Sequence, residues 1–464
     1  MPPESGATVD PIAPSGDRQL VRAIGVGSAI LFVVGSVIGS GIFLTTGVMA
    51  QTIPSVSLLL LAWTLGGVLA IAGGLTYAEM GAMFPRSGGV YVFLREAYGP
   101  LPAFLYGWAA LLVVISGGIA AVAVGFAEYL SYFFPALSPS VVVMSADAGF
   151  TRISISAGQL VAAALIVVIG AINYVGVRRS NFVIVVVTVA KVGALAALPI
   201  IAILYTRVTP VLTPVVPPDL ARPVAAFGVA MIAVLWTYEA WYFVTYAAGE
   251  IKDPQRNVPR ALVGGLLLLT TIYVVVNIAY FLALPLEEMQ GVTRVAERAA
   301  TVLVGPAGAT FIALTVVLST FGNNMAGMLA GSRLLFGMAS DGVFFPSCRR
   351  VHERYRTPHV AIVALTIWSA VLALSGSYEQ LFTYVMFASI LFSVAAGAAL
   401  FKLRRDRPDQ MRPYRTLGYP AVPIVFITGS AAFVLNTLIE RPVESLSGLG
   451  LLALGLPVYW YWSQ

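Results

Sequence analysis

Charge is what this sequence has least of. Lys, Arg, Asp and Glu make up 10% of its 464 residues, against about 25% in an average soluble domain. Between Ala23 and Ala78 there is no charged side chain at all. A soluble globular fold is thereby excluded. Cysteine is represented by Cys348 alone, which rules out an internal disulfide. The two histidines, His352 and His359, fall in one short segment, and no Cys, His, Asp or Glu cluster has metal-ligand spacing. No nucleophile has a base nearby in the sequence, so an enzyme is a poor reading and no cofactor is expected. Ten-residue strands of alternating polarity, the signature of a membrane barrel, are missing too.

What fills the chain instead is apolar sequence, 59% of all residues. It is organised in twelve runs, roughly 24–52, 57–83, 101–131, 157–176, 181–206, 223–248, 259–284, 306–339, 359–376, 379–401, 419–438 and 446–462, each read as a helix crossing ~30 Å of hydrocarbon. The fold class is therefore an all-α polytopic membrane protein with 12 transmembrane helices. Most of the 27 Lys and Arg fall in alternate connections, including Arg86, Arg95, Arg178, Arg179, Lys252, Arg256, Arg349, Arg350 and Arg404. That asymmetry places those connections in the cytoplasm. Both termini then lie inside as well. The net charge of +6 reports orientation, and no nucleic-acid partner is implied. Residues 1–20 lack apolar periodicity and read as a disordered cytoplasmic tail, too polar for a cleaved signal peptide. Residues 21–464 form one transmembrane domain, because the longest connections, around 132–156 and 402–418, leave no room for a soluble one.

Two runs are interrupted at their middles. The first, "VVGSVIGSGIFLTTG", breaks at Gly39, Ser40 and Gly41; the sixth carries Trp236, Thr237, Tyr238, Glu239, Ala240 and Trp241 at matching depth. Broken helices in corresponding positions point to a 5+5 inverted repeat, about 24–206 and 223–401, with two extra helices over about 419–462 and a binding site between the halves. Small residues such as Gly35 and Gly39 also serve close helix packing. A break in hydrocarbon leaves N–H and C=O groups that something must satisfy. The N–H groups of Ser40, Gly41 and Ile42 and the positive helix end suit a carboxylate, and the carbonyls of Ser36, Val37 and Ile38 suit an ammonium. Glycine at 39 and 41 provides the backbone angles and the close approach. An amino-acid zwitterion fits that gap.

The motifs "GSVIGSGIF", "GGLTYAEMGAMFPRSGGVYVFLREAYGP", "AAGEIKDPQRNVPRAL", "LAGSRLLFGMASDGVFF" and "RPYRTLGYPAVPIVFI" occur in one order along the chain. Together they resemble the amino acid–polyamine–organocation superfamily, most of all its L-type amino-acid transporter branch and the bacterial members of that branch. The resemblance implies a leucine-transporter-like fold, alternating access and an amino-acid substrate within membrane lipid. It implies a carboxylate site at Ser40 and Gly41 with the Val37 carbonyl toward the amine. Trp236 becomes an aromatic gate, and the carbonyls of Trp236 and Glu239 accept from the amine. Ala240 stands where the family has a glycine. Animal relatives pair with a single-span glycoprotein through a cysteine in the 3–4 connection; residues 132–156 have none, so no disulfide-linked heavy chain is expected.

Two charges fall near mid-membrane. Lys191 lies about eleven residues into the fifth run, roughly 16 Å deep at 1.5 Å per residue, beyond easy snorkelling. Family resemblance gives it the place that a sodium ion fills in sodium-coupled relatives, which makes transport sodium-independent. Glu239 either carries a proton through the cycle, or favours a cationic substrate, or faces an aqueous vestibule. Arg333 is read as snorkelling from the end of the eighth run. Asn323 and Asn324, after Ser319 and Thr320, line the site or bond neighbouring helices, and the small residues 116–121 give a roomier pocket or closer packing. The functional reading is a secondary transporter of neutral amino acids, an exchanger or proton symporter; the alternative is one of cationic amino acids or polyamines.

Overall fold

Hydrocarbon offers no water to unpaired backbone groups, so an apolar chain satisfies them within helices. The computed structural model describes residues 20, 22–147, 152–218, 220, 222–375, 378–440 and 442–462. Apart from Leu20, the tail expected over 1–20 lies outside the described residues. The first apolar run holds α1 (Val26–Val37) and α2 (Gly41–Thr52), followed by α3 (Val56–Met83), an amphipathic α4 (Val90–Tyr98) and α5 (Pro100–Ala109). A π-helical turn over Ala110–Val114 joins α5 to α6 (Ile115–Leu130). An antiparallel hairpin, β1 (Val142–Asp147) on β2 (Arg152–Ser156), leads into α7 (Ala157–Tyr174) and α8 (Val177–Leu204). The second half opens with α9 (Pro223–Thr237), the single turn α10 (Phe243–Tyr246) and α11 (Pro254–Ala283). It continues through α12 (Leu286–Met289), α13 (Val295–Val304), α14 (Pro306–Ser340), α15 (His359–Ser375) and α16 (Tyr378–Asp406), ending in α17 (Ala421–Glu440) and α18 (Pro442–Trp462).

Among the described residues nine helices are long and apolar enough to cross a membrane, which makes this a multi-pass membrane protein. In the runs 223–248, 359–376 and 446–462 the apolar helices are shorter: α9, α15 and Gly448–Tyr461. Local signals set the ends. Ser156 and Gln159 form a reciprocal capping box at the start of α7, bonding each other's backbone N–H at 3.2 and 2.8 Å. The hairpin, α4 and α13 all lie in connections that the hydropathy pattern leaves blank. Helix α1 packs against α8, α11 and α14, and α11 runs along α3.

Both interruptions are breaks in the backbone. At the first, the Gly39 N–H turns back to the Val37 carbonyl at 2.8 Å, and α2 starts afresh at Gly41. At the second, α9 stops at Thr237 and the chain turns through Tyr238 to Tyr242 before α10. Neither Gly39 nor Gly41 needs a left-handed φ. Their role is close approach, since a Cβ on Gly41 would meet Thr237 Oγ1 at 2.5 Å. The left-handed residue is Ala240, at φ 74°, where an L side chain crowds the following carbonyl.

At the arginine-rich end of the bundle, bonds join the segment before α1 to the segment after α10. The N–H groups of Ala23 and Ile24 both donate to the Glu250 carbonyl at 2.9 Å, and the Lys252 N–H returns to the Ile24 carbonyl at 2.9 Å. The Glu250 carboxylate takes two bonds of 2.9 Å from the Arg333 guanidinium of α14. Both side chains are buried, at 0% and 1% exposure. Snorkelling, expected for Arg333, is thus replaced by a bidentate ion pair. The partner comes from a distant segment, so hydropathy could not reveal it. At the same end Arg404 of α16 grips the Glu79 carboxylate of α3 at 2.6 and 3.0 Å and lies 3.7 Å over the Tyr419 ring.

Removing one partner of a buried ion pair strands the other charge, so Glu250→Ala is expected to lower stability by about 3–5 kcal/mol. The check is the thermal unfolding midpoint in detergent; an unaltered midpoint contradicts the assignment. Ala240→Gly is expected to act the other way, relieving about 1 kcal/mol of backbone strain. A melting temperature below wild type in the same assay would contradict it.

Candidate functional site

Breaking α1 leaves carbonyls outside the regular helical ladder, and side chains from three other helices bond to them. Lys191 of α8, 1% exposed, donates to the carbonyls of Gly35 at 2.9 Å and Ile38 at 2.5 Å. An ammonium at the carbonyl end of a helix also meets the favourable end of its dipole. Ser319 of α14 sits within bonding distance of the Ile38 and Gly39 carbonyls, 2.9 and 3.2 Å, and Asn323 Nδ2 donates to the Ser36 carbonyl. From α11, the Tyr273 hydroxyl lies 3.3 Å from the Val37 carbonyl and 3.1 Å from that of Thr237, so one phenol bonds both breaks. The Ser36 hydroxyl reaches the Ala240 carbonyl at 3.1 Å, a second link across them.

Between the breaks lies a small cavity lined from both of them. Ser36, Val37, Gly39, Ser40 and Gly41 line it from the first break; Trp236, Glu239 and Ala240 line it from the second. Ile38, Ile42 and Lys191, singled out in the sequence, lie outside this lining, and the Ile38 carbonyl is taken by Lys191 and Ser319. The Ile42 side chain is fully buried in the core outside this lining, and its carbonyl accepts from Tyr280 at 3.2 Å. Lys191 braces the break from behind. Asn323 both lines the cavity and bonds the neighbouring helix.

The facing wall is apolar, built by Val114, Ile115, Ile119 and Val122 at the π-turn and the start of α6, with Phe243 and Val385. A π-turn widens a helix and commonly marks a working segment. The small residues here divide two tasks between neighbours. A Cβ on Gly118 would meet nothing within 4 Å, so this glycine gives room; one on Gly117 would meet Val385 at 2.9 Å, so that glycine gives contact.

Glu239 is the single charged side chain in the lining. Its Oε1 accepts from the Tyr242 hydroxyl and from Ser389 Oγ of α16 at 2.5 Å. Among the described residues no basic group forms an ion pair with it. Tyr242 and Ser389 escaped the sequence reading, as did Tyr273 and Tyr280. For α11 a signal existed: Tyr273, Asn277 and Tyr280, spaced four and three apart in an otherwise apolar run, put a polar stripe on one helix face. Asn277 completes it by accepting from Thr46 of α2 at 2.6 Å.

A family model described as "Amino acid permease" matches residues 24–451. The serine/threonine exchanger SteT of Bacillus subtilis is 30% identical over 455 residues, covering 96% of this chain and 97% of its own. The human large neutral amino acids transporter small subunit 2 is 30% identical, covering 99% and 84%. The mouse b(0,+)-type amino acid transporter 1 is 30% identical, covering 91% and 84%. With two facing helix breaks, a cavity between them and a match over nearly the whole chain, this protein belongs to the amino acid permease family.

Proposed function

We propose that this protein is a secondary active transporter, not an enzyme, that carries neutral amino acids across the cell membrane by alternating access and without sodium. The observation that carries the reading is the cavity shared by two facing helix breaks. A substrate carboxylate takes the first-turn N–H groups of α2, at Ser40, Gly41 and Ile42, with the positive helix end behind them. The ammonium takes the carbonyls of Val37, Trp236 and Glu239, and Trp236 closes over the substrate. The side chain then points to the apolar wall of Val114, Ile115, Ile119 and Val122. The names of the relatives, an exchanger of serine and threonine and a transporter of large neutral amino acids, agree with a zwitterion whose side chain is uncharged.

In this reading the twelve spans form a leucine-transporter-like 5+5 inverted repeat with two helices appended, and both termini are cytoplasmic. The fixed ammonium of Lys191 replaces a sodium ion against the first break. The Glu250–Arg333 latch closes the cytoplasmic end. A disulfide-linked heavy chain has no part, because the one cysteine, Cys348, is buried among the arginine-rich connections. A second reading, transport of cationic amino acids or polyamines, draws its support from the Glu239 carboxyl in the cavity.

The test is counterflow of labelled L-threonine and L-leucine in proteoliposomes, alongside thermal-shift screening of the twenty amino acids, since a ligand of the folded state raises its melting temperature. Exchange unaffected by replacing sodium with choline is expected. Competition by decarboxylated amines that equals competition by amino acids would favour the second reading. Gly41→Ala drives a methyl group against Thr237 and crowds the N–H groups that meet the carboxylate. It is expected to weaken apparent affinity at least tenfold, about 1.4 kcal/mol, as read by competition in the same counterflow assay; wild-type affinity would refute the carboxylate site.

A further inference from the structure

We propose that Glu239 is the coupling site of this transporter, carrying one proton inward with each amino acid. The inference rests on the transport reading above and begins from the position of the carboxyl. A second, small cavity lies among α3, α9, α16 and α17. Among the described residues Glu239 alone lines both cavities. It is the residue at which the two linings meet.

The surroundings hold hydroxyls and no cation. On one side stand Tyr242 and Ser389, which bond Oε1 and lie 3.1 Å from each other. On the other, Tyr238, Ser393 and Ser430 line the second cavity. Tyr77 of α3 and Tyr106 of α5 are the other titratable groups within electrostatic reach. No other Asp or Glu, and no Lys, Arg or His, lines either cavity among the described residues. Arg333 is already committed to Glu250, and Lys191 to the carbonyls of α1.

Charge balance supplies the coupling. A neutral amino acid is a zwitterion and brings no net charge, so closing the site over it with Glu239 ionised would bury one uncompensated anion. Water in the open cavity solvates that anion; occlusion removes the water. A proton from the outer solution forms an O–H bond on the carboxylate before closure, and that bond breaks to the inner solution after opening inward. One proton and one amino acid cross together, and the carboxylate is regenerated. Ser393 and Ser430 place two hydroxyls in the otherwise mostly apolar wall of the second cavity, and we assign the proton's path to that side of Glu239.

The test traps a pH-sensitive dye inside proteoliposomes with the membrane potential clamped, and reads lumenal acidification against uptake of labelled L-threonine. The quantity is the proton-to-amino-acid ratio, which a slow variant does not distort. Wild type is expected to give a ratio near one, Glu239→Asp to keep it, and Glu239→Gln to drop it at least tenfold. Wild-type uptake with no acidification overturns the proposal, and so does an unchanged ratio in Glu239→Gln. Uptake confined to obligatory exchange, with no net proton movement, overturns it as well. If the wild type shows no counterflow of any amino acid, the transport reading itself falls.

Discussion

The structure depends on one constraint: inside hydrocarbon a backbone carbonyl that loses its helical partner must find another donor. Two helices are broken near their centres, and nearly every polar side chain buried around them is engaged with the exposed main chain. Lys191, Ser319, Asn323 and Tyr273 come from three helices, and each donates to a carbonyl of the first break. These bonds explain why α8, α11 and α14 converge on α1. The breaks organise the bundle around themselves.

The fold was readable in outline because hydropathy is a strong, local signal. Apolar runs mark helices whatever they touch, and the Gly39–Ser40–Gly41 cluster betrays a weak point in a run that should be continuous. The depth of Lys191 and the oddness of Glu239 could likewise be read by counting along a helix. Pairings between distant segments could not. Arg333 looks like a snorkelling residue until Glu250 is placed beside it, and Tyr242 looks like packing until Ser389 arrives from α16. Gly117 and Gly118 are indistinguishable in sequence, yet one faces a neighbour and the other faces space. Of the two roles expected of Gly39 and Gly41, close approach holds, while the unusual φ belongs to Ala240.

Glu239 and Ala240 together make the second break unlike the first. The first is built from small residues and satisfied by donors from elsewhere; the second carries its own acid and a strained alanine. Strain of this kind persists where surrounding contacts over-determine it. Here the Ser36 hydroxyl holds the Ala240 carbonyl from across the gap. The two breaks are therefore one mechanical unit with unequal parts.

The Tyr273 phenol has a single hydrogen and two carbonyls within reach, one on each broken helix. It cannot serve both fully at any instant. One donor shared between two acceptors ties the broken helices together more loosely than a separate bond to each would, and it makes the two interruptions answer to a single side chain of α11.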